Sequence, residues 1–251
     1  MPGSRYGVVG IGVGVPGIVN KEGSVLLAPN LGWTNIQLKI DLEKLFQVPV
    51  IIENEANAGA FGEQQFGAGQ DYQNIIYISA GIGIGVGIIL NKELYQGKNG
   101  FSGEMGHMII DIDGKPCSCG SRGCWEAYAS EHALLEMAEE NGDTLESLIN
   151  LAENSDEAVK ALFQKIGNYL GYGINNIINT FNPDQVIVGN RLALTKEWIE
   201  EPIRNTIKNH TLTHHQHEMI LDFSGLGKYS TVLGVSAFVV ENFIKEESKV
   251  L

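Results

Sequence analysis

The sequence predicts an α/β protein, and three observations carry that prediction. Strand-like apolar runs alternate with helix-period segments along the chain. Glycine makes up 31 of the 251 residues, about 12% against a usual figure near 7%. The excess falls in two segments where Val, Ile and Leu interleave with it: Gly10, Gly12, Gly14 and Gly17 in one, Gly81, Gly83, Gly85 and Gly87 in the other. Glycines spaced this way mark strands whose backbone is closely approached, not flexible linkers.

Taken in order, residues 6–13 and 17–27 read as strands joined at Pro16. Ile36, Leu38, Ile40, Leu42 and Leu45 support a helix over 34–46, and Thr34 with Gln37 has capping-box spacing. Residues 48–53 form a buried strand and 55–66 a helix; 75–90 make two strands around a glycine-rich turn. Helices follow near 130–140 and over 156–180, the second apolar on one face and suited to core and dimer surface. Short strands at 184–189 and 219–224 flank a helix near 196–208, a last helix covers about 233–247, and 245–249 reads as a solvated terminus. No internal repeat is visible.

Composition narrows the function. At 251 residues the chain holds one large domain or two smaller ones, with 43% hydrophobic residues to build a core. A formal net charge of -13 and a pI near 4.8 argue against direct contact with nucleic acid, which needs a surplus of Lys and Arg. No apolar run approaches the ~20 residues of a membrane span and no secretory leader is seen, so a cytoplasmic protein is expected.

All three cysteines, Cys117, Cys119 and Cys124, lie in one C-x-C-x4-C run, with His107 shortly before them. Three thiolates on a tight loop and one imidazole make a Cys3His set, the usual closed arrangement around structural Zn2+. A disulfide fits poorly, because the number is odd and two of the cysteines are one residue apart. Clustered buried thiols are the remaining alternative. Around this loop lie acids and an amide: Asn54 and Glu55 at a strand end, Glu104 before His107, and Glu126 after Cys124. Ligands in open α/β sheets sit beyond the carboxyl ends of strands, and such groups suit the hydroxyls of a small polyol or sugar.

At these residues a family resemblance becomes specific. The run GEMGHM (103–108) followed by CSCGSRGCWE (117–126) resembles the two signatures of the ROK family of sugar-responsive repressors and bacterial sugar kinases. GVGVPGIVN (12–20), ENEANAGAFGE (53–63) and GIGIGVG (81–87) resemble three more family segments in the same order. The resemblance implies the actin-like ATPase (ribonuclease H-like) fold, with two α/β lobes around a cleft and its N-terminal part truncated. It implies a small, incomplete lobe from 1–54 plus 241–251, and a large lobe from 55–240 with the zinc loop and dimerisation helices. His107, Cys117, Cys119 and Cys124 would bind zinc, while Asn54, Glu55, Glu104, His107 and Glu126 hold sugar hydroxyls. His107 would serve both, one ring nitrogen on each.

Departures from the kinase pattern choose the subfamily. Family kinases carry aspartate directly after the asparagine as the base that deprotonates the sugar; this chain has Glu55, one methylene longer, and a misplacement near 1 Å costs about a hundredfold in rate. The kinases' Asp and Gly-rich phosphate hairpin has no counterpart before Tyr6, and their glycine pair beside the adenosine is replaced at Gly189, Asn190 and Arg191. The chain therefore resembles the xylose repressors most. That implies an effector-binding, homodimeric part with no catalysis, a xylose or glucose ligand, and DNA contact only through an N-terminal helix-turn-helix outside this sequence. The alternative is an ATP-dependent, glucokinase-like hexose kinase.

Other residues carry weaker readings. Trp33 and Trp125 face either a sugar ring or, more simply, the core. Pro16 and Gly17 either bring backbone to the sugar or make a plain turn, and Gly17 is kept as a sugar-site residue. His214, His215 and His217 read as an exposed loop more readily than a second metal site.

Overall fold

The structure, a computed structural model, describes residues 6–138, 144–216 and 219–248. It resolves the alternation into β1 (Ile11–Val15), β2 (Ile18–Val19), β3 (Val25–Ala28), β4 (Trp33–Ile36), α1 (Leu38–Phe46), β5 (Val50–Asn54), α2 (Glu55–Phe66), β6 (Ile75–Ala80), β7 (Ile84–Leu90) and β8 (Glu93–Leu94). The second half holds α3 (Glu126–Ala129), α4 (Glu131–Ala138), α5 (Leu145–Glu153), α6 (Glu157–Phe181), β9 (Gln185–Gly189), α7 (Lys196–His210), α8 (Thr213–Gln216), β10 (Ile220–Phe223) and α9 (Tyr229–Glu247).

Five strands make one mixed sheet in the order β10-β9-β6-β7-β8, with β10, β9 and β6 parallel and the β6-β7-β8 pairs antiparallel. Every residue of β6 and β9 is buried. That explains their continuous apolar runs, since a strand covered on both faces has no polar side to alternate with. One face is covered by α6, whose stripe of Val159, Phe163, Ile166, Leu170 and Ile174 repeats at helical spacing. Asp156 starts that helix by accepting from the amides of Ala158 and Val159.

A thinner layer precedes it. β1 and β5 pair in parallel, β2-β3-β4 pair antiparallel, and Val15, Val19, Val25, Ala28, Val50 and Ile52 form their shared core. Helices α2 and α9 pack against each other, and α9 also lies on β1. The α2–α9 crossing is one of backbones: a Cβ on Gly234 would lie 1.8 Å from the Ala58 carbonyl oxygen. The Phe61 and Phe238 rings stack beside it at 4.1 Å.

The structure corrects several expected elements. β1 starts at Ile11, not residue 6. The strand expected over 17–27 is a hairpin, turned where Asn20 Oδ1 accepts from the Ser24 amide at 2.8 Å. Residues expected to open the first helix form β4 instead, because Ile36 pairs with Val25 and Thr34 with Leu27. Gln37 therefore does not complete a capping box; its side chain accepts from the Ser24 hydroxyl at 2.9 Å. Helix α5 was not expected at all, although Thr144 and Ser147 form a capping box at its start. α9 begins a turn earlier than residue 233. Residues 139–140 of the expected 130–140 helix, His217 and Lys249 lie outside the described residues. The neighbouring His214 and His215 lie in α8, not in a loop. Among the described residues, no helix is long and apolar enough to cross a membrane.

Candidate functional site

One half of the site is built where β5 runs into α2. Asn54 is the N-cap of α2, at φ -61° and ψ 140°, and its Oδ1 accepts from the amides of Ala56 at 2.8 Å and Asn57 at 3.2 Å. Its Nδ2 donates to the Gly17 carbonyl at 2.9 Å. Both Oδ1 acceptor sites are occupied, so Asn54 can only donate to a ligand, through one remaining N–H. The accepting half of the expected amide is spent on the helix. Gly17 offers backbone alone, since a Cβ there would fall 2.3 Å from the Leu27 carbonyl oxygen.

Glu55 is the first residue of α2, where the helix dipole favours a negative charge. Ser79 of β6 donates its hydroxyl to Glu55 Oε1 at 3.4 Å. Burial raises the Glu55 carboxyl above the ordinary range, and the Ser79 bond opposes that rise. Glu53 is also raised by burial, but it is turned to structural use. It accepts from the Asn54 amide at 2.8 Å, Asn57 Nδ2 at 3.0 Å and Gln96 Nε2 at 2.7 Å, tying β5 to the loop after β8.

The other half lies on the segment between β8 and α3. Glu104 to His107 form a 3-10 turn after Gly103, which has φ 92° and whose added Cβ would meet the Val86 carbonyl oxygen at 1.9 Å. Only glycine fits a turn pressed onto β7 in this way. The cysteine loop closes on itself through Cys117 N to Ser121 O and Gly120 N to Cys117 O, at 2.9 and 3.0 Å. It is anchored by Trp125, fully buried, whose Nε1 donates to the Tyr169 carbonyl of α6 at 2.8 Å. The absence of a side chain at Gly173 makes room for that indole. Trp125 is therefore core; Trp33 is half-buried against the core of the thinner layer.

His107, Cys117, Cys119 and Cys124 come together, with one potential ligand atom from each lying within 4.8 Å of the others. Cys119 and Cys124 Sγ are 3.7 Å apart, as are Cys117 Sγ and His107 Nδ1. Tetrahedral Zn–S bonds of about 2.3 Å place sulfurs about 3.8 Å apart, so the spacing fits such an ion. The four groups can hold a metal.

Two carboxylates flank the imidazole. Glu126 Oε1 lies 3.5 Å from Nδ1 and accepts from Cys117 Sγ at 3.2 Å; Glu104 Oε2 lies 3.9 Å from Nε2. Burial raises Glu104, with His107 lowering it and Glu126 raising it. With Nδ1 turned to the cysteines, Nε2 is left facing away from them, beside Glu104. The β6–β7 hairpin stands between the halves: Ser79 contacts Glu55, and Glu126 Oε2 lies 2.8 Å from where a Gly83 Cβ would be. Ser79 and Asn190, whose Nδ2 donates to Ser79 Oγ at 3.0 Å, were not singled out as site residues from sequence. No local motif signals Ser79, which is brought in by the β6 register. The open depression of about 420 Å³ lined by Ile109, Asp111, Tyr169, Tyr172, Asn175 and His210 includes none of the expected sugar residues.

A sequence model of the ROK family matches residues 1–242. The xylose repressor of Bacillus subtilis (strain 168) is 44% identical over 246 residues, covering 97% of this chain and 64% of that protein, so the chain spans less than two thirds of its relative. A ROK family glucokinase from Streptomyces griseus, solved in complex with glucose and AMPPNP, superposes with a TM-score of 0.84 at 31% identity, over 92% of this chain and 81% of that one. A ROK family transcriptional regulator described as a homolog of E. coli MLC gives 0.85 at 30% identity, over 94% and 63%. The fold is thus the actin-like ATPase fold of these kinases and repressors. With a family match running almost end to end on a chain that carries the Cys3His cluster beside two carboxylates, this protein belongs to the ROK family.

Proposed function

We propose that the chain is the sugar-sensing, effector-binding part of a xylose-type ROK repressor, with no catalysis of its own. The observation that carries this reading is the corner after β9. There the Asn190 side chain lies against Gly81, and Arg191 is held to Glu131 by bonds of 2.6 and 3.0 Å, where the kinases of the family keep small glycines beside a nucleotide. Glu55 at the kinase base position and the 44% identity to a xylose repressor support the same reading.

In this proposal Zn2+ is held by His107, Cys117, Cys119 and Cys124, and its role is structural: it fixes the imidazole and the loop. A monosaccharide, xylose or glucose, takes a hydrogen bond from Asn54 and gives hydroxyl protons to Glu55 on one side, with Gly17 backbone nearby. Glu104, His107 Nε2 and Glu126 hold it on the other. The small lobe, 1–54 with 241–251, carries the thinner layer and 55–240 is the large lobe, with residues 1–5, 139–143, 217–218 and 249–251 outside the described residues; bridging both favours a closed arrangement by differential affinity. Exposed Val232, Val240 and Ile244 on α9 and Tyr172 on α6 support a homodimer. DNA contact belongs to a helix-turn-helix outside this sequence, in keeping with the charge of -13, and the cytoplasm is the compartment such a regulator works in.

Calorimetric titration tests the reading. Xylose or glucose is expected to bind the zinc-loaded protein and an ATP analogue to give no heat. Clear nucleotide binding favours the second reading, a hexose kinase, which the likeness to the Streptomyces griseus glucokinase supports.

A further inference from the structure

Asn190 occupies a backbone conformation that asparagine ordinarily avoids. Its φ of 63° and ψ of -155° lie in a region populated almost only by glycine, and such a residue persists when its surroundings over-determine it. Several contacts do so here. The preceding Gly189 is pressed on the buried Tyr77 ring, which would meet an added Cβ at 2.3 Å, and the Asn190 carbonyl accepts from the Ala193 amide at 3.2 Å. Arg191 is anchored through Nε and Nη2 to the buried Glu131, whose own amide donates to the Gly81 carbonyl at 2.8 Å. The loop is pinned on either side of the strained residue.

The side chain that this strain positions ends on Ser79. Asn190 Nδ2 donates to Ser79 Oγ at 3.0 Å, and the Ser79 hydroxyl donates to Glu55 Oε1 at 3.4 Å. Ser79 is 3% exposed, and it stands opposite Gly189 in the β6–β9 register. The polarity of this chain runs one way only. A carboxylate accepts and never donates, so Ser79 must spend its single proton on Glu55, and its oxygen needs a donor behind it. Asn190 supplies that donor; an aspartate of the same shape would not.

We propose that Asn190 is a positioning residue for the effector site: through Ser79 it fixes the Glu55 carboxylate, so that Oε1 is occupied and Oε2 is presented to a ligand hydroxyl. The inference rests on the sugar-sensing reading for its consequence but not for its geometry. It explains why a conformation suited to glycine carries a side chain, since glycine would relax the backbone and leave the Ser79 oxygen without its donor.

Asn190→Gly separates this role from a structural one, because the variant's backbone fits the loop better than the wild type's. It is expected to raise the Tm while weakening xylose or glucose binding about fivefold, roughly one lost hydrogen bond. Asn190→Asp turns the Ser79 proton away from Glu55 and weakens binding by about tenfold or more. In a Ser79→Ala background, Asn190→Gly is expected to cost no further affinity, the coupling expected of groups acting in series. A readout without sugar is the Glu55 side-chain carboxyl 13C resonance at fixed pH, which should move in Asn190→Gly and in Ser79→Ala alike. A resonance unmoved by Asn190→Gly, or additive losses of affinity in the double variant, overturns the proposal. If the resonance moves in a protein that binds neither sugar, the relay stands and the sugar-sensing reading falls.

Discussion

The two halves of the site are fixed by opposite means. On the α2 side, Asn54 and Glu55 lie at a strand-to-helix junction. There the cap accepts two amide bonds, and α2 is locked behind them by its close crossing with α9. On the other side, the segment from Glu104 to Glu126 contains one 3-10 turn and two isolated bridges, Ile109 with Cys124 and Pro116 with Arg122. Its polar groups are gathered by four candidate metal ligands and by Trp125. A capped helix holds its side chains with bonds that the chain makes anyway on folding, whereas a loop without a ladder needs an added cross-link to offset its chain entropy. The halves should therefore differ in what dislodges them.

The largest expected effect comes from removing the cross-link. Chelation, or Cys124→Ala, is expected to lower the Tm by about 10 °C, or about 4 kcal/mol at ~2–4 °C per kcal/mol for a chain of this size. Hydrogen exchange should rise across residues 104–126 while the first turn of α2 keeps its protection. Equal loss of protection in α2 would show that the halves are one cooperative unit, and the contrast between them would be gone.

The same contrast governs what could be read in advance. The cysteine spacing exposed the metal half at once, because ligand chemistry leaves a local mark: three thiols in one short run have few other uses. The α/β class and the β6–β7 pair were equally open, since their continuous apolar runs match their near-complete burial, and α2 was legible over its observed residues. Residues 34–36 were misread as helix because Ile36 continues the apolar series of Leu38, Ile40 and Leu42, which fits either period. Pairing with β3 settles them, and no local signal reports a partner strand. Trp125 was visible as a large apolar residue but not as the anchor between Cys124 and Glu126, since the room for its ring comes from Gly173, far along the chain. Ser79 stayed hidden for a similar reason, and Asn190, legible as a departure beside the nucleotide position, was not legible as its partner: they meet through the register of β6 with β9.

A middling effect is expected on the α2 side, and it asks whether the cap or the amide donor matters there. Asn54→Ala removes both and is expected to cost about 1 to 2 kcal/mol in urea denaturation. Asn54→Asp keeps an oxygen for the Ala56 and Asn57 amides and places its charge at a helix N-terminus, so it should cost less than alanine. Both variants lose the donation to the Gly17 carbonyl and the N–H left for a ligand, so both should weaken sugar binding. If aspartate restores binding as well as stability, the donor has no part in recognition and Asn54 is a cap alone.

The smallest effect is one of pH. Burial raises Glu53 above the ordinary carboxylate value of 4.5, against the bonds from Asn57, Asn54 and Gln96 that favour its charged form. The folded chain therefore keeps a proton that the unfolded chain releases. The stability this contributes is fully present below about 4.5 and is lost as pH rises through the folded value. Glu53→Gln does not titrate, and it accepts fewer bonds, so it should be less stable than the wild type at low pH. The deficit should narrow as pH rises above about 4.5 and then level off, which denaturation midpoints at a series of pH values would record. Because Glu53 bonds, among the described residues, to β5, α2 and the loop after β8, the narrowing should survive in chelator. A narrowing that vanishes when the metal is removed would mean that the cation's influence crosses the β6–β7 hairpin, and the two halves would have to be treated as coupled.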